Sequence, residues 1–478
     1  MPHIAPFSLP RSTLSWADLP GRRVGLYGLG VEGHASLRAC RALGVDPVVV
    51  DDNPQSVSGD NGADTRDASS GDSPLVRRTR DGGLAALLDC DIVIKSPGIT
   101  RYGSVIHELQ AGGVAVVGGT GLWLAGADLS RVLLITGSKG KSTTTAIAGH
   151  LLTGFGYRVL IGGNIGVPPY DPEVDHDVDY WVVEISSYQA TDLAVSPFVT
   201  AVTSLSPDHL PWHNGDVETY YRDKLSATSQ PGAHVTVADG DSPLLRAHAG
   251  LLGPHIEWVH ATDGADLTDS ADSADAQWLD ELGLLGTHNR RNAMIARRAL
   301  QSMGIGQADD EAALAAAARG FIGLPSRLQT VGHRGGVIFV DDGLSTNVLP
   351  VLAAVDAFKG RRVALLVGGK SRGIDYGALG VGLRTRKTPC LMVTMPTNGR
   401  DIHAQVADAG PGEAVAIVDA ESLDDAVKIA AQWAEPDGVV LLSPAAPSFD
   451  LYRDYRDRGR AFIAAMVECG GTPSSAVS

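Results

Sequence analysis

Cysteine is scarce in this chain: Cys40, Cys90, Cys390 and Cys469 are the four among 478 residues, and none stands in CxxC spacing. That excludes a disulfide framework and a thiolate zinc knuckle. No uninterrupted apolar run reaches the roughly 18 residues that a membrane-spanning helix needs. The opening stretch MPHIAPFSLPRSTLSW lacks the continuous apolar segment of a signal peptide, so a cytoplasmic protein is expected. No basic run interleaved with aromatics occurs, and the formal net charge is −16. A nucleic-acid partner is therefore not expected, and any phosphate site must be local. No period of 20–50 residues repeats, which excludes a solenoid.

What is present is an ordinary globular composition, 44% hydrophobic and 20% charged, at a length that calls for several cores. Short apolar runs recur at 24–27, 132–135, 363–367 and 439–442. Each leads into Gly or Ser-Pro and then into an Ala-rich helical pattern. Continuous apolar strands alternating with helices imply an α/β fold with parallel sheets covered on both faces, and ligands gathered at the strands' carboxyl ends. An Ala/Gly stretch at 124–128 and a Gly-Leu-Pro at 323–325 set the expected boundaries: three domains, 1–126, 127–330 and 331–478. The acidic Ser/Asp-rich stretches 53–72 and 262–280 read as solvated loops, and the tail 470–478 as frayed.

Thr136-Gly137-Ser138-Lys139-Gly140-Lys141-Ser142-Thr143 directly follows an apolar strand pattern. Glycines let backbone N–H groups curl round a phosphate, and a helix N-terminus adds partial positive charge. Lys141 would then reach the β- and γ-oxygens, and Ser142 would ligate Mg²⁺. The spacing is a shortened GxxGK[ST]; the bland alternative is a glycine turn at a strand end. In Tyr180-Trp181-Val182-Val183-Glu184-Ile185-Ser186-Ser187-Tyr188-Gln189, Glu184 ends a strand pattern, where it could hold Mg²⁺ or simply lie at the surface. Pro207-Asp208-His209-Leu210-Pro211-Trp212-His213 precedes Tyr220-Tyr221-Arg222-Asp223-Lys224. His209 and Lys224 could support a second metal only if Lys224 becomes a carbamate with CO₂, because an ammonium cannot ligate a cation. A lone His209 is more often structural.

In Gly286-Thr287-His288-Asn289-Arg290-Arg291-Asn292, the Asn289 amide suits an adenine edge or a helix N-cap. Gly28-Leu29-Gly30-Val31-Glu32-Gly33, with Asp51-Asp52 ending the next strand pattern, has dinucleotide spacing. Read alone it says only that a nucleotide phosphate or diphosphate sits at the first βα turn. Lys95-Ser96-Pro97-Gly98-Ile99 offers a second loop on that edge.

Taken in order, these stretches resemble the Mur ligase family, and most closely its glutamate-adding, MurD type. The family pattern T-G-[TS]-x-G-K-[ST]-T is met at 136–143, E-x-S-S-[FY]-Q at 184–189, and D-H-L with Y-x-x-x-K at 208–210 and 220–224. G-x-H-N-x-x-N is met at 286–292 and G-L-P-x-R at 323–327. Further on come D-D-x-x-x-T-N at 341–347, G-G-x-x-x-G-x-D at 368–375 and L-S-P-A-x-x-S-x-D at 442–450, then Arg458-Gly459 and Phe462. The resemblance implies a Rossmann-like UDP-binding domain, a central P-loop ATPase-type domain and a C-terminal Rossmann-like domain that closes over ATP.

It also implies an ATP-dependent, ADP-forming ligase of peptidoglycan precursor synthesis, a monomer that adds glutamate to UDP-N-acetylmuramoyl-L-alanine through an acyl phosphate. ATP would be held by Gly137, Ser138, Lys139, Gly140, Lys141, Ser142 and Thr143, with Asn289, Arg327 and Asp342. One Mg²⁺ would sit on Ser142 and Glu184, a second on His209 and carbamylated Lys224. Gly28, Gly30, Gly33, Asp51, Ser96, Pro97 and Gly98 would grip the UDP substrate, while Thr346, Arg372, Ser448 and Phe449 would hold glutamate.

The chain departs from the family pattern at Leu344, where Lys is usual, and at Ser204, Pro211, Ser326 and Gln329. Leu344 and the G-x-x-E-G turn resemble the L-glutamate-adding branch more than the D-glutamate-adding one. A folylpolyglutamate synthase shares the later motifs without the first domain. A nicotinamide dehydrogenase would leave Lys141, Glu184, His209 and Lys224 unexplained.

Overall fold

The computed structural model describes residues 11–53, 75–260 and 277–474. They form two compact units: Met1–Glu281 with Arg291–Arg319, and Leu282–Arg290 with Gly320–Ser478. Most of the two acidic stretches expected to be loops lies outside the described residues. The end of the second instead belongs to the helix Gln277–Glu281, which buries Trp278 and Leu279.

The first unit holds two parallel sheets. One is built from β1 (Val24–Tyr27), β2 (Val48–Val50), β3 (Val76–Arg77), β4 (Ile92–Lys95) and β5 (Ala115–Val117), in the order β3-β2-β1-β4-β5. Strands β1 and β4 are buried at every position, as strands covered on both faces must be. Strand order reverses between them, so their carboxyl ends open a crevice flanked by Gly28 and Ser96. The other sheet contains β6 (Val132–Thr136), β7 (Val159–Gly163), β8 (Tyr180–Glu184), β9 (Val199–Val202), β10 (Val235–Asp239) and β11 (Ile256–Val259). Its order, β11-β10-β9-β6-β8-β7, places the loop after β6 beside those after β8 and β9. A buried ion triad ties the two sheets together: Asp192 meets Lys95 Nζ at 2.6 Å and Arg101 Nη1 at 2.9 Å. Low local dielectric makes such a triad hard to break one member at a time.

The second unit has one sheet of β12 (Gln329–Arg334), β13 (Val337–Asp341), β14 (Val363–Val367), β15 (Cys390–Thr394), β16 (Val415–Asp419), β17 (Val439–Leu442) and β18 (Thr472–Pro473). Their order is β16-β15-β14-β17-β13-β12-β18. Alternation along β14 sorts Val363, Leu365 and Val367 into one core with the helices Val348–Asp356, Gly377–Leu383 and Gly399–Ala409. Ala364 and Leu366 pack on the other face with the helices Leu423–Trp433 and Tyr455–Glu468. This sheet is not wholly parallel: β12 runs antiparallel to both β13 and β18. The cause is local, since only Gly335-Gly336 separates β12 from β13, and two glycines in a two-residue loop are a hairpin signal. The described part of the tail is not frayed as expected: Thr472–Pro473 pairs with β12, and Ser474 N donates to Val331 O at 2.9 Å.

Candidate active site

The glycines of the loop after β6 are required by its shape. Gly137 has φ +137°, and a Cβ there would stand 2.2 Å from Thr203 Oγ1. Gly140 has φ +90°, and its Cβ would meet Asn292 Oδ1 at 2.6 Å. Only glycine tolerates both conditions. The helix Lys141–Gly154 starts immediately after Gly140, so its first N–H groups face the hollow of the loop. Lys141 Nζ donates to Gly137 O at 2.8 Å. The Lys139 main chain is fixed by β9's successor residues: its N–H donates to Ser204 Oγ at 2.8 Å and its carbonyl accepts from Thr203 Oγ1 at 2.6 Å. Its ammonium turns outward to Asp208 at 3.1 Å.

The helix Val217–Leu225, capped by Asp216, delivers two side chains to the same loop. Tyr220 and Lys224 stand four residues apart and so share a face. Tyr220 Oη lies 2.8 Å from Ser138 Oγ, and Lys224 Nζ donates to Gly137 O at 3.0 Å. Lys224 is buried, and burial followed by the neighbouring charge of Lys141 holds its ammonium well below the usual lysine range. Lys139 lowers it further, while Asp208 and Glu184 act in the opposite direction. Lys224 is thus held toward its neutral, nucleophilic form.

Glu184 ends β8 fully buried, against the bland expectation of a surface carboxylate. Oε1 accepts from Asn164 Nδ2 at 2.7 Å, whereas Oε2 is buried with no hydrogen-bond partner among the described residues. A buried, unpaired carboxylate oxygen is costly without a cation, so Glu184 fits a metal ligand. His209 has an exposed ring, near Tyr188 at 5.4 Å, and adopts φ +51°, a left-handed conformation uncommon outside glycine. Its imidazole pKa lies below the ordinary value, chiefly through desolvation, with Asp208 opposing and Lys139, Lys224 and Lys141 reinforcing it. A neutral imidazole suits ligation. Lys139, Lys141, Glu184, Asp208, His209 and Lys224 are therefore coupled electrostatically. No group of three His, Cys, Asp or Glu side chains among the described residues forms a ready-made metal cluster.

At the first sheet, Gly28 (φ +97°) and Gly33 make the tight turn, and a Cβ on Gly33 would sit 2.1 Å from Gly28 O. Ser96 Oγ donates to Gly28 O at 2.8 Å. The Pro97 and Gly98 carbonyls accept from Trp212 Nε1 at 3.1 and 3.3 Å. Asp51 is buried, with one oxygen accepting from Leu29 N and the other from Asn53 N, each at 2.7 Å. It shapes the turn, and both its oxygens are already occupied.

In the second unit, both aspartates of the D-D motif are buried. Asp341 accepts from Ser326 Oγ at 2.7 Å and from Gly343 N at 2.8 Å. Asp342 accepts from Ser345 Oγ, Ser443 Oγ and Leu328 N, and desolvation pushes its carboxyl up to about 6. Asp342 thereby fixes the loop carrying Arg327, which lies between the positive-φ residues Ser326 and Leu328. Asn289 donates its amide to Leu285 O at 2.9 Å from inside the first turn of the helix Thr287–Ser302, rather than capping it. Ser448 and Phe449 line a cavity of about 290 Å³ with Gly368, Gly369, Tyr452 and Arg458. Arg372 lies over the Phe449 ring at 5.9 Å. Thr346 is half-buried just before Asn347, the cap of the helix Val348–Asp356.

Several residues at these sites were given no role from sequence, although Asn292, Trp212, His213 and Arg458 stand within its motifs. Asn164 and Asn292 touch the loops from distant segments. His213 is fully buried between Asp223 Oδ2 at 2.6 Å and Ser187 Oγ at 3.1 Å, and Tyr102 Oη donates to Asp223 at 2.8 Å. Trp212 stacks on Tyr188 with ring centres 4.5 Å apart. Arg458 donates to the carbonyls of Gly343, Gly368 and Ala446, joining the loops after β13, β14 and β17.

Two family descriptions match: the Mur ligase middle domain over residues 135–300 and the Mur ligase glutamate ligase domain over 326–446. A UDP-N-acetylmuramoyl-L-alanine–L-glutamate ligase from a Micromonospora strain is 37% identical, covering 96% of this chain and 99% of its own. An enzyme of that name from Xanthomonas euvesicatoria pv. vesicatoria is 37% identical over 93% of this chain and 95% of its own. Among solved structures, the MurF ligase from Thermotoga maritima in complex with ADP is 14% identical. It aligns with a TM-score of 0.54 over 98% of this chain and 100% of that one, a likeness of fold. The chain belongs to the Mur ligase family, the ATP-dependent, ADP-forming amino-acid ligases of peptidoglycan precursor synthesis.

Proposed function

We propose that this chain adds L-glutamate to UDP-N-acetylmuramoyl-L-alanine. The observation that carries the chemistry is the convergence on the Gly137 loop of Lys141, a neutral-leaning Lys224 and the unpaired Glu184 oxygen. The choice of L-glutamate and of the muramoyl substrate draws on the names of the relatives and on Leu344 standing in place of a cation.

A carboxylate resists attack by an amine because its negative charge repels the nucleophile. Transfer of the γ-phosphoryl of ATP to the substrate carboxylate releases ADP and leaves an acyl phosphate. The glutamate nitrogen then bonds to the acyl carbon, phosphate leaves with the C–O bond electrons, and the nitrogen loses a proton. The chain's part is positioning and charge neutralisation. The N–H groups opening the helix Lys141–Gly154, with Gly137, Ser138, Lys139, Gly140 and Thr143, cradle the β- and γ-phosphates, and Lys141 leaves Gly137 O to reach them. Ser142 and Glu184 would hold one Mg²⁺, and His209 with Lys224 the other, once the Lys224 nitrogen has added to CO₂ and lost a proton. Bound Mg²⁺ supplies neutralisation of the phosphate charge.

Gly28, Gly30, Gly33 and Ser96 accept the UDP diphosphate, with Asp51, Pro97 and Gly98 shaping that edge. Asn289 and Arg327 serve the nucleotide, Asp342 by holding Arg327's loop. Arg372, Ser448, Phe449 and Thr346 hold glutamate. The protein is assigned to the cytoplasm as a monomer, and no described helix is long and apolar enough to cross a membrane. The test is ADP release with UDP-N-acetylmuramoyl-L-alanine and each glutamate enantiomer: turnover with the L form supports the reading, and turnover confined to the D form refutes it.

A further inference from the structure

The phosphate-binding turn of the first sheet carries an anion of its own. Glu32 is the second residue of the helix Val31–Ala42, whose N-terminal residue is preceded by Gly30, with open space where a Cβ would stand. Its carboxyl competes for the positive helix end that would attract a diphosphate. Neutral donors surround that carboxyl. Oε1 accepts from Gln189 Nε2 at 2.6 Å, and Oε2 accepts from Tyr170 Oη at 3.3 Å and Thr120 Oγ1 at 3.4 Å. The charged groups on the surrounding elements are already paired: Lys95 of β4 with Asp192, and Arg38 of Glu32's own helix with Asp171 beside Tyr170.

The same partners accommodate a neutral acid. Tyr170 Oη lies 3.3 Å from the main-chain oxygen of Glu32 and 3.3 Å from Ser36 Oγ. With a proton on Oε2, that oxygen donates to Tyr170 Oη while the tyrosine hydroxyl turns to the Glu32 carbonyl, and no group is left unpaired. Gln189 also reaches onward, since Ser186 N and Oγ each donate to its Oε1 at 2.8 Å, two residues beyond Glu184.

We propose that Glu32 is a positioning residue that takes up a proton as the nucleotide substrate's diphosphate binds. Its neutral form keeps Gln189 and Ser186 in place while removing the charge that would oppose the ligand. Desolvation already raises this carboxyl to about 7, with Gln189, Tyr170, Lys95 and Thr120 lowering it, so a nearby anion has little further to push. The inference rests on the reading of the Gly28–Gly33 turn as the diphosphate site.

The experiment is titration calorimetry of the full chain with UDP-N-acetylmuramoyl-L-alanine at pH 7.5, in buffers of different ionisation enthalpy. The diphosphate diester of this ligand has no group titrating near that pH. Expected is uptake of roughly half a proton per site in the wild type, none in Glu32→Gln, and an affinity in Glu32→Gln that no longer weakens as pH rises. Buffer-independent heat in the wild type, or undiminished uptake in Glu32→Gln, overturns the proposal. If Glu32→Gln does not fold, Glu32→Ala provides the same comparison. Absence of any binding to the wild type would instead overturn the underlying reading of the turn.

Discussion

Lys141 and Lys224 donate to one atom, the carbonyl oxygen of Gly137, at 2.8 and 3.0 Å. Two ammonium groups drawn onto one acceptor repel each other, and the buried one yields: Lys141 is the largest charge lowering Lys224, after burial itself. Under the proposed reading, the loop that would receive phosphate charge would also prepare Lys224 to react with CO₂.

Lys224→Ala and Lys224→Arg are both expected to lose about 10³-fold in turnover, the scale of losing a transition-state charge stabiliser. A guanidinium keeps the positive charge but cannot form the carbamate. Carbon NMR under ¹³CO₂ should show a carbamate signal in the wild type that both variants lack. Near-normal turnover by Lys224→Arg would remove the carbamate from the account.

Gly140→Ala should weaken ATP binding at least tenfold, measured as KM for ATP. The left-handed conformation costs about 1–2 kcal/mol for a residue with a Cβ, and the added carbon would press Asn292 at 2.6 Å. Gly306→Ala, which meets nothing within 4 Å, should leave KM unchanged.

His213→Ala should destabilise the first unit by about 3 kcal/mol in denaturant unfolding, because it strips a buried partner from Asp223. Tyr102→Phe, which leaves His213 in place, should cost about 1 kcal/mol. Equal costs for the two would contradict the ranking.

Glu32 also makes a pH prediction for the ligand-free protein. Its carboxyl rises from an ordinary 4.5 to about 7 on folding, so the native state binds the proton more tightly than the unfolded chain. Its contribution to stability is therefore complete below pH 4.5 and is lost as pH rises through 7. Wild type minus Glu32→Gln should show this decline across that window in unfolding midpoints, and a flat difference would refute it.

Much of this was legible because it is local. Runs at 24–27, 363–367 and 439–442 became β1, β14 and β17 as bounded from sequence. Tyr220 and Lys224 were legible only as a motif; the helix Val217–Leu225 puts both on one face because they stand four residues apart. The Gly335-Gly336 hairpin was equally local, yet the parallel expectation overrode its turn chemistry. Asn164 against Glu184, Tyr102 against Asp223 and Lys95 against Asp192 were not legible, because strand order and sheet packing, rather than sequence spacing, bring those groups together. Asp51 and Asp342 show the converse. Their motifs were plain, but only the structure shows that backbone and hydroxyl donors already occupy their oxygens.

The most direct test of the central claim follows oxygen. UDP-N-acetylmuramoyl-L-alanine labelled with ¹⁸O in its alanine carboxylate is incubated with the protein, ATP, Mg²⁺ and L-glutamate, and the released phosphate is analysed by mass. Passage through an acyl phosphate predicts one carboxylate oxygen in each phosphate formed, with L-glutamate in the product amide. Unlabelled phosphate accompanying amide formation, or labelled phosphate and amide formed only when D-glutamate replaces L-glutamate, would contradict it.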